Sequence, residues 1–423
     1  MFRQLIYTPL WYVLLPIILL RLYWRGFKAP QYRLRWRERL GYYQQAPEQD
    51  LIWFHAVSVG EAEAVFPLIK LLQSCYPTSR FLVTTTTPTG SARVQAVLGD
   101  TVVHVYLPYD LPSVQQRFFT HFQPKIAVFM EKEIWPNLYA TCALRGIPLF
   151  VINARLSAPS AQAYLKIPGL VKPALMAVEQ IATQTPEDQA RFIEIGADAT
   201  RVQVLGNIKF DVQIETTTLV AGQLLRQNLF AQRFVWIIAS SHAGEEEQLL
   251  NLYADLKTQI PELLLLLVPR HPERFQIVKA LCVERQLKVV MRSEQSKQSL
   301  AEQVDIYIAD SMGELKMLYA AADVAFVAGS LVPIGGHNVL EPAAIGVPVL
   351  FGPHMFNFQE IAQGMLAVGA ALQCQDLAAV ALAIINIYQD SQLRQKLIAN
   401  AHEFVHKNQG AKQRVADLLV DYL

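Results

Sequence analysis

Two doubly wound α/β domains are what this sequence predicts, and three observations predict them. From residue 51 onward short apolar β-like runs alternate with helix-like stretches, the pattern of parallel strands joined by crossover helices. The alternation comes in two waves separated near residues 206–215. The chain has 423 residues, 52% of them hydrophobic and 17% charged, which is material for two cores rather than one swollen one.

The N-terminus comes first and is different in kind. Residues 5–20 form an almost unbroken apolar run, extended by Leu22, Tyr23 and Trp24 and interrupted by Pro9 and Pro16. That is barely enough to cross a bilayer. Arg21, Arg25, Lys28, Arg33, Arg35, Arg37 and Arg39 follow it, whereas only Arg3 and the amino terminus precede it, so the charge asymmetry places the rest of the chain in the cytoplasm. A cleaved signal peptide is the competing reading. No small-x-small site follows the run, and a basic cluster is the wrong flank for export. The expectation is an anchor, spanning or dipping into the membrane, with the arginines and the interleaved Tyr32 and Trp36 against anionic headgroups.

The first wave of strands is expected at 51–57, 81–86, 102–106, 126–129, 149–152, 180–183 and 203–205, with helices such as 61–73 and 135–145 between them. Residues 206–211 read as a linker. The second wave is expected at 234–239, 263–268, 288–291, 305–308, 324–327 and 347–351, and a final helical segment of about 390–423 is long enough to pack back on the first domain. The boundaries are 1–30 for the anchor and flank, 31–207 for the first domain and 208–423 for the second.

In such sheets ligands collect at the carboxyl ends of the strands, so the loops there carry the functional reading. After the first strand stands Glu61, beside Gly60 at a strand-to-helix turn, placed to accept a proton from a hydroxyl. Its plain alternative is compensation of the helix dipole. Glu131 or Glu133, after the fourth strand, would share that rim and raise the pKa of the base or position an acceptor.

In the second domain the loop from Gly329 to Pro342 looks like a nucleotide cradle: strand, then Gly335 and Gly336, then a helix from about Asn338 to Ile345 stopped near Gly346. The glycines let the backbone approach a ligand, and a helix N-terminus carries roughly half a positive charge. The spacing of Asn338 and Glu341 also fits a mere capping box. Arg270, after the 263–268 strand, would clamp phosphate or carboxylate, or else make a surface ion pair. Ser311 and Glu314 are spaced as another capping box, and Ser240 to Glu247 as a capped helix start. Lys209, in the linker, could reach a phosphate.

Several chemistries are excluded. Residues 1–39 hold eight Lys/Arg and one Glu, leaving 29 basic and 35 acidic side chains for the body, so nucleic acid is a poor partner. The cysteines at 75, 142, 282 and 374 form no C-x-x-C pair for zinc or thiol chemistry. A P-loop and a D-x-D for a metal-bound sugar diphosphate are both missing. What remains is group transfer from a nucleotide without a metal.

At this point the chain resembles, nearly end to end, the bacterial 3-deoxy-D-manno-octulosonic acid (Kdo) transferases. The likeness rests on the anchor with its basic flank and on five stretches in order, at 55–61, 130–137, 206–210, 268–272 and 335–342. The resemblance implies a GT-B fold, two Rossmann-like domains facing a cleft, and inverting transfer of Kdo from CMP-Kdo to a glucosamine hydroxyl of lipid A precursor at the inner membrane, with no cofactor and no metal. By the same resemblance Glu61 is the general base, and Glu131 and Lys209 stabilise the transition state. Pro269, Arg270, Met312, Gly313, Glu314, Asn338, Val339, Leu340 and Glu341 would contact CMP. Lys132 departs from the small polar residue of relatives, which leaves open whether Glu131 or Glu133 points inward. A nucleotide-sugar 2-epimerase on the same fold, needing no anchor, is the nearest rival. A membrane adaptor with a vestigial nucleotide site is the non-enzymatic one.

Overall fold

The structure, a computed structural model, describes residues 4–294 and 303–423; Arg3, counted in the charge asymmetry, lies outside the described residues. Two compact units divide it: Met1–Asp211 with Gln409–Leu423, and Val212–Asn408.

In the first unit β1 (Glu48–His55), β2 (Phe81–Thr85), β3 (Val103–Tyr106), β4 (Phe122–Met130), β5 (Leu149–Ala154), β6 (Gln180–Thr183) and β7 (Val202–Val204) form a parallel sheet in the order β3-β2-β1-β4-β5-β6-β7. Both faces are covered, which is why the strands read as continuous apolar runs rather than alternating ones. Leu51 and Trp53 enter one core with Phe118 and Phe129, while Ile52 and Phe54 enter the other with Phe81 and Ile69. Fully burying side chains of this size contributes about 1.5–3 kcal/mol each. The helix Ala411–Val420 joins the second of these cores through Ala411, Val415, Ala416 and Leu419.

The second unit repeats the plan with β8 (Phe234–Ser241), β9 (Leu263–Pro269), β10 (Val289–Met291), β11 (Ile306–Ile308), β12 (Val324–Val327), β13 (Val349–Phe351) and β14 (Ala371–Gln373). Their order is β10-β11-β9-β8-β12-β13-β14, again all parallel. The strand order reverses between β1 and β4 in the first sheet and between β8 and β12 in the second. These are the topological switch points, where loops leave in opposite directions and open a crevice.

Four sequence expectations are corrected here. β14 was not foreseen; it is a three-residue edge strand, too short to carry a period. The strand expected at 347–351 starts at Val349, because the Val347 amide closes the preceding helix on Pro342 O. The last helical segment is broken: Ser391–Asn408 ends before Gly410, whose φ of +88° suits only the left-handed region, and its N–H donates to Asp211 Oδ1 at 2.6 Å.

The fourth correction concerns the basic flank. Arg39 is 5% exposed and donates to Thr86 O, while Arg35 pairs with Glu38 at 2.7 Å and donates to His104 O. Both arginines therefore hold the first unit together rather than meeting headgroups. Arg21, Arg25 and Arg37 remain exposed.

Candidate active site

The switch point of the first sheet brings together the predicted carboxylates and the lysine. Ser58 caps the helix α2 (Val59–Cys75), accepting from the Glu61 amide at 3.4 Å, and its hydroxyl donates back to Glu61 Oε1 at 3.1 Å. The Val57 N–H donates to Oε2 at 2.7 Å. Glu61 is therefore fixed at the carboxyl end of β1 by its own turn, which is the helix-start role read from the sequence. It does more than that. Burial, then the charges of Glu131 and Glu133, push its carboxyl up to about 7 against the pull of the Val57 amide. A carboxylate poised near neutrality can both take and hold a proton.

Glu131 leaves β4 in a left-handed conformation, φ +59°, anchored by its N–H to Ile152 O at 3.0 Å. A non-glycine residue held there is strained, and such strain collects at functional sites. The twist turns its carboxylate to Lys209 at 3.4 Å and Arg155 at 3.7 Å. Lys209 is supplied by the turn Ile208–Phe210, whose first N–H donates to Asn153 Oδ1 at 3.0 Å. Asn153 itself has φ +50°. Glu133, by contrast, has its carboxyl pushed up by burial, and its main-chain carbonyl accepts from Tyr139. Glu131 is the one paired with the cations.

In the second unit the predicted residues fall at the ends of β9, β11 and β12, but their roles in the fold differ. Pro269 closes β9, and the Arg270 N–H donates to Ser241 O at 3.1 Å, which sets the arginine beside the switch point. Glu314 is engaged by Arg292 through two bonds of 2.5 and 2.6 Å and accepts from Ser311. The pair holds its carboxyl below the usual range. The helix there begins only at Leu315, so the Ser311 and Glu314 pair does not cap a helix beginning at Ser311. Met312 and Gly313 are exposed, the latter at φ +86°.

The glycine loop is built differently from the cradle the sequence suggests. The N–H groups of Gly335 and Gly336 both turn inward to Gly329 O, at 3.1 and 2.9 Å, so the loop closes on itself. Asn338 Oδ1 accepts from Leu340 N at 3.0 Å, two residues on, and the helix Leu340–Ile345 is only six residues long. Val339 and Leu340 are buried, and Glu341 is half-buried.

Sequence reasoning missed the side chains beside this loop. His242 and His337, 95 residues apart, meet Nε2 to Nε2 at 2.8 Å with nearly coplanar rings, 3° apart. Burial lowers both, His337 to about 3, so one imidazole donates to the other as a neutral pair. A Cβ on Gly329 would lie 3.1 Å from His337 and 3.3 Å from His242, so that glycine is what lets the rings close. Beneath them Glu245, fully buried and pushed up to about 8 by burial, accepts from the Gly329 N–H at 2.6 Å. The Gly-Gly-His-Asn run was the visible signal for His337; His242 had none beyond its place after a strand.

Comparison with known proteins decides the family. Residues 34–212 match the family profile described as 3-Deoxy-D-manno-octulosonic-acid transferase (kdotransferase), and residues 237–404 match Glycosyl transferases group 1. A 3-deoxy-D-manno-octulosonic acid transferase of Haemophilus influenzae is 41% identical over 420 residues, covering 99% of this chain and 98% of the other. The chain belongs to the Kdo transferases. A relative of the same description from Bordetella pertussis is 34% identical over 394 residues, 91% of this Kdo transferase and 90% of the relative. Among solved structures, the UDP-GlcNAc 2-epimerase of Neisseria meningitidis aligns with a TM-score of 0.56 at 14% identity, over 88% of this chain and 100% of that one. At that identity the likeness is one of fold, and the fold of this Kdo transferase is the two-domain GT-B class.

Proposed function

We propose that this Kdo transferase moves Kdo from CMP-Kdo to a hydroxyl of lipid A precursor with inversion at the anomeric carbon, Glu61 acting as general base. The observation that carries the reading is Glu61, held at the switch point of the first sheet with its carboxyl pushed up to about 7. The acceptor oxygen forms its bond to the anomeric carbon as its proton passes to Glu61. The bond from that carbon to the phosphate oxygen breaks, and CMP leaves. Lys209, paired with Glu131, supplies positive charge near the reacting centre, and Glu131 fixes the lysine.

In the second unit Arg270 meets the CMP phosphate, its main chain being tied to Ser241 and its side chain standing beside His242 and His337. The backbone at Met312 and Gly313 and from Asn338 to Glu341 takes the rest of the nucleotide, while Glu314 shapes that edge through Arg292. No cofactor or metal enters this scheme, since the leaving phosphate monoester is met by fixed cations. The apolar N-terminal helix supports a membrane anchor, and the exposed Arg21, Arg25 and Arg37 support an inner-membrane site with both units on the cytoplasmic side, among anionic lipids.

The test is incubation of the purified chain with CMP-Kdo and lipid A precursor, and separately with UDP-GlcNAc alone. The expected result is a lipid product heavier by Kdo, with one CMP released per transfer and an inverted anomeric centre by NMR. Conversion of UDP-GlcNAc without any lipid product would overturn the reading in favour of an epimerase.

A further inference from the structure

The helix α1 (Gln4–Lys28) has 25 residues, about 37 Å at 1.5 Å per residue, enough to cross the ~30 Å hydrocarbon core of a bilayer. Its contacts argue against crossing. At its N-terminal end Tyr7 donates to Asp110 Oδ2 at 2.9 Å, Thr8 donates to Asn137 Oδ1 at 3.1 Å, and Tyr12 shares a hydrogen bond with Ser113 at 2.9 Å. The Trp11 ring lies 6.1 Å from Tyr109 and 6.4 Å from Trp135. At the other end Gly26 is buried under Arg33, whose Nε donates to Tyr23 O at 3.2 Å and whose guanidinium covers Phe27. The N-terminal end is thus held by the first folded unit, and the C-terminal end by the turn Pro30–Arg33 that follows it.

The opposite side of α1 is a continuous exposed apolar stripe. Leu10, Val13, Ile17, Leu20, Trp24 and Phe27 recur every three or four residues along one face, from 51% to 75% exposed. Beyond the stripe Leu34 and Trp36 are exposed, and so are Arg21, Arg25 and Arg37. An apolar stripe ending in aromatics, with arginines at its edge, is complementary to the boundary between acyl chains and anionic headgroups.

From this the geometry points to α1 as an in-plane anchor: it lies along the membrane surface with its exposed stripe in the lipid, its N-terminal half clipped to the first unit, and crosses nothing. The clip sits on the active-site loop. Asn137, which takes Thr8, and Asp110, which takes Tyr7, are bonded to one another where the helix Pro136–Leu144 begins, three residues after Glu133. The same contacts seat α1 beside the segment that follows Glu131, which brings the stripe and the proposed acceptor site to one membrane surface. This inference rests on the proposed reading of α1 as a membrane anchor.

The experiment uses the full chain with a protease-cleavable epitope before Met1 and a second after Leu423, in sealed inner-membrane vesicles of both orientations. Both epitopes are expected to be removed from the same face and protected together on the other. An N-terminal epitope cut only from the face opposite the C-terminal one would overturn the in-plane placement and leave the anchor reading standing. A chain that stays in the supernatant, alone or as a dimer, would overturn both.

Discussion

Lys209 Nζ stands 3.4 Å from Glu131 Oε1, and through this pair the charge that Glu131 presents to Glu61 is partly neutralised. Removing the lysine leaves Glu131 with Arg155 alone, 3.7 Å away, and raises the Glu61 pKa further above about 7. Lys209→Ala should therefore shift the rising limb of the kcat/KM against pH profile to higher pH, besides lowering its plateau. Profiles of the two proteins with superimposable limbs would separate Lys209 from the base.

Glu61 also makes a stability prediction. Its folded pKa of about 7 lies above the unfolded value near 4.5, so the folded state holds the proton more tightly. The stabilisation this gives is complete below pH 4.5 and is lost as pH rises through 7, leaving the ionised carboxylate a burden at pH 8. The neutral isostere Glu61→Gln should be more stable than the parent at pH 8, by about 1–3 kcal/mol, with the difference vanishing near pH 4. Thermal melts at the two pH values read it directly, and an equal difference at both would contradict the assigned pKa.

Gly336 has φ +72°, and an added Cβ would run into Met355 Sδ. Gly336→Ala is expected to cost on the order of 1–3 kcal/mol and to open the loop from Gly329. Weaker CMP binding by calorimetry, with melting of the second unit lowered, is the expected outcome; CMP affinity and melting both unchanged would count against the loop as the nucleotide edge.

Arg270 is tied by its main chain to Ser241 at the second switch point, with its side chain near enough to His242 and His337 for its charge to act on them. Its removal should raise the KM for CMP-Kdo by about tenfold or more, the loss of one charge-assisted hydrogen bond, while leaving the KM for lipid unchanged. An unaltered donor KM with a raised lipid KM would assign the residue to the wrong substrate.

The elements differ in how legible they are from sequence. Strands such as Leu263–Pro269, five leucines followed by Val268, announce themselves because a strand covered on both faces needs no polar alternation. Ala371–Gln373 does not, since an edge strand of three residues buries little and carries no period. Glu61 was legible because its turn is local, Ser58 to Glu61. The left-handed Glu131 and the His242 and His337 pair were not, because each depends on loops that only the switch point brings together. Arg35 and Arg39 misled for the same reason: their partners, Glu38, Thr86 and His104, make them internal, and charge counting along the chain sees only their sign.

The central claim is that Glu61 removes the acceptor's proton, and one comparison tests it most directly: turnover of CMP-Kdo and lipid A precursor by purified parent and Glu61→Gln chains, with CMP binding measured on the same samples. The expected result is a fall in kcat of about 10²–10⁴-fold with CMP affinity unchanged. Turnover by Glu61→Gln equal to that of the parent would contradict it.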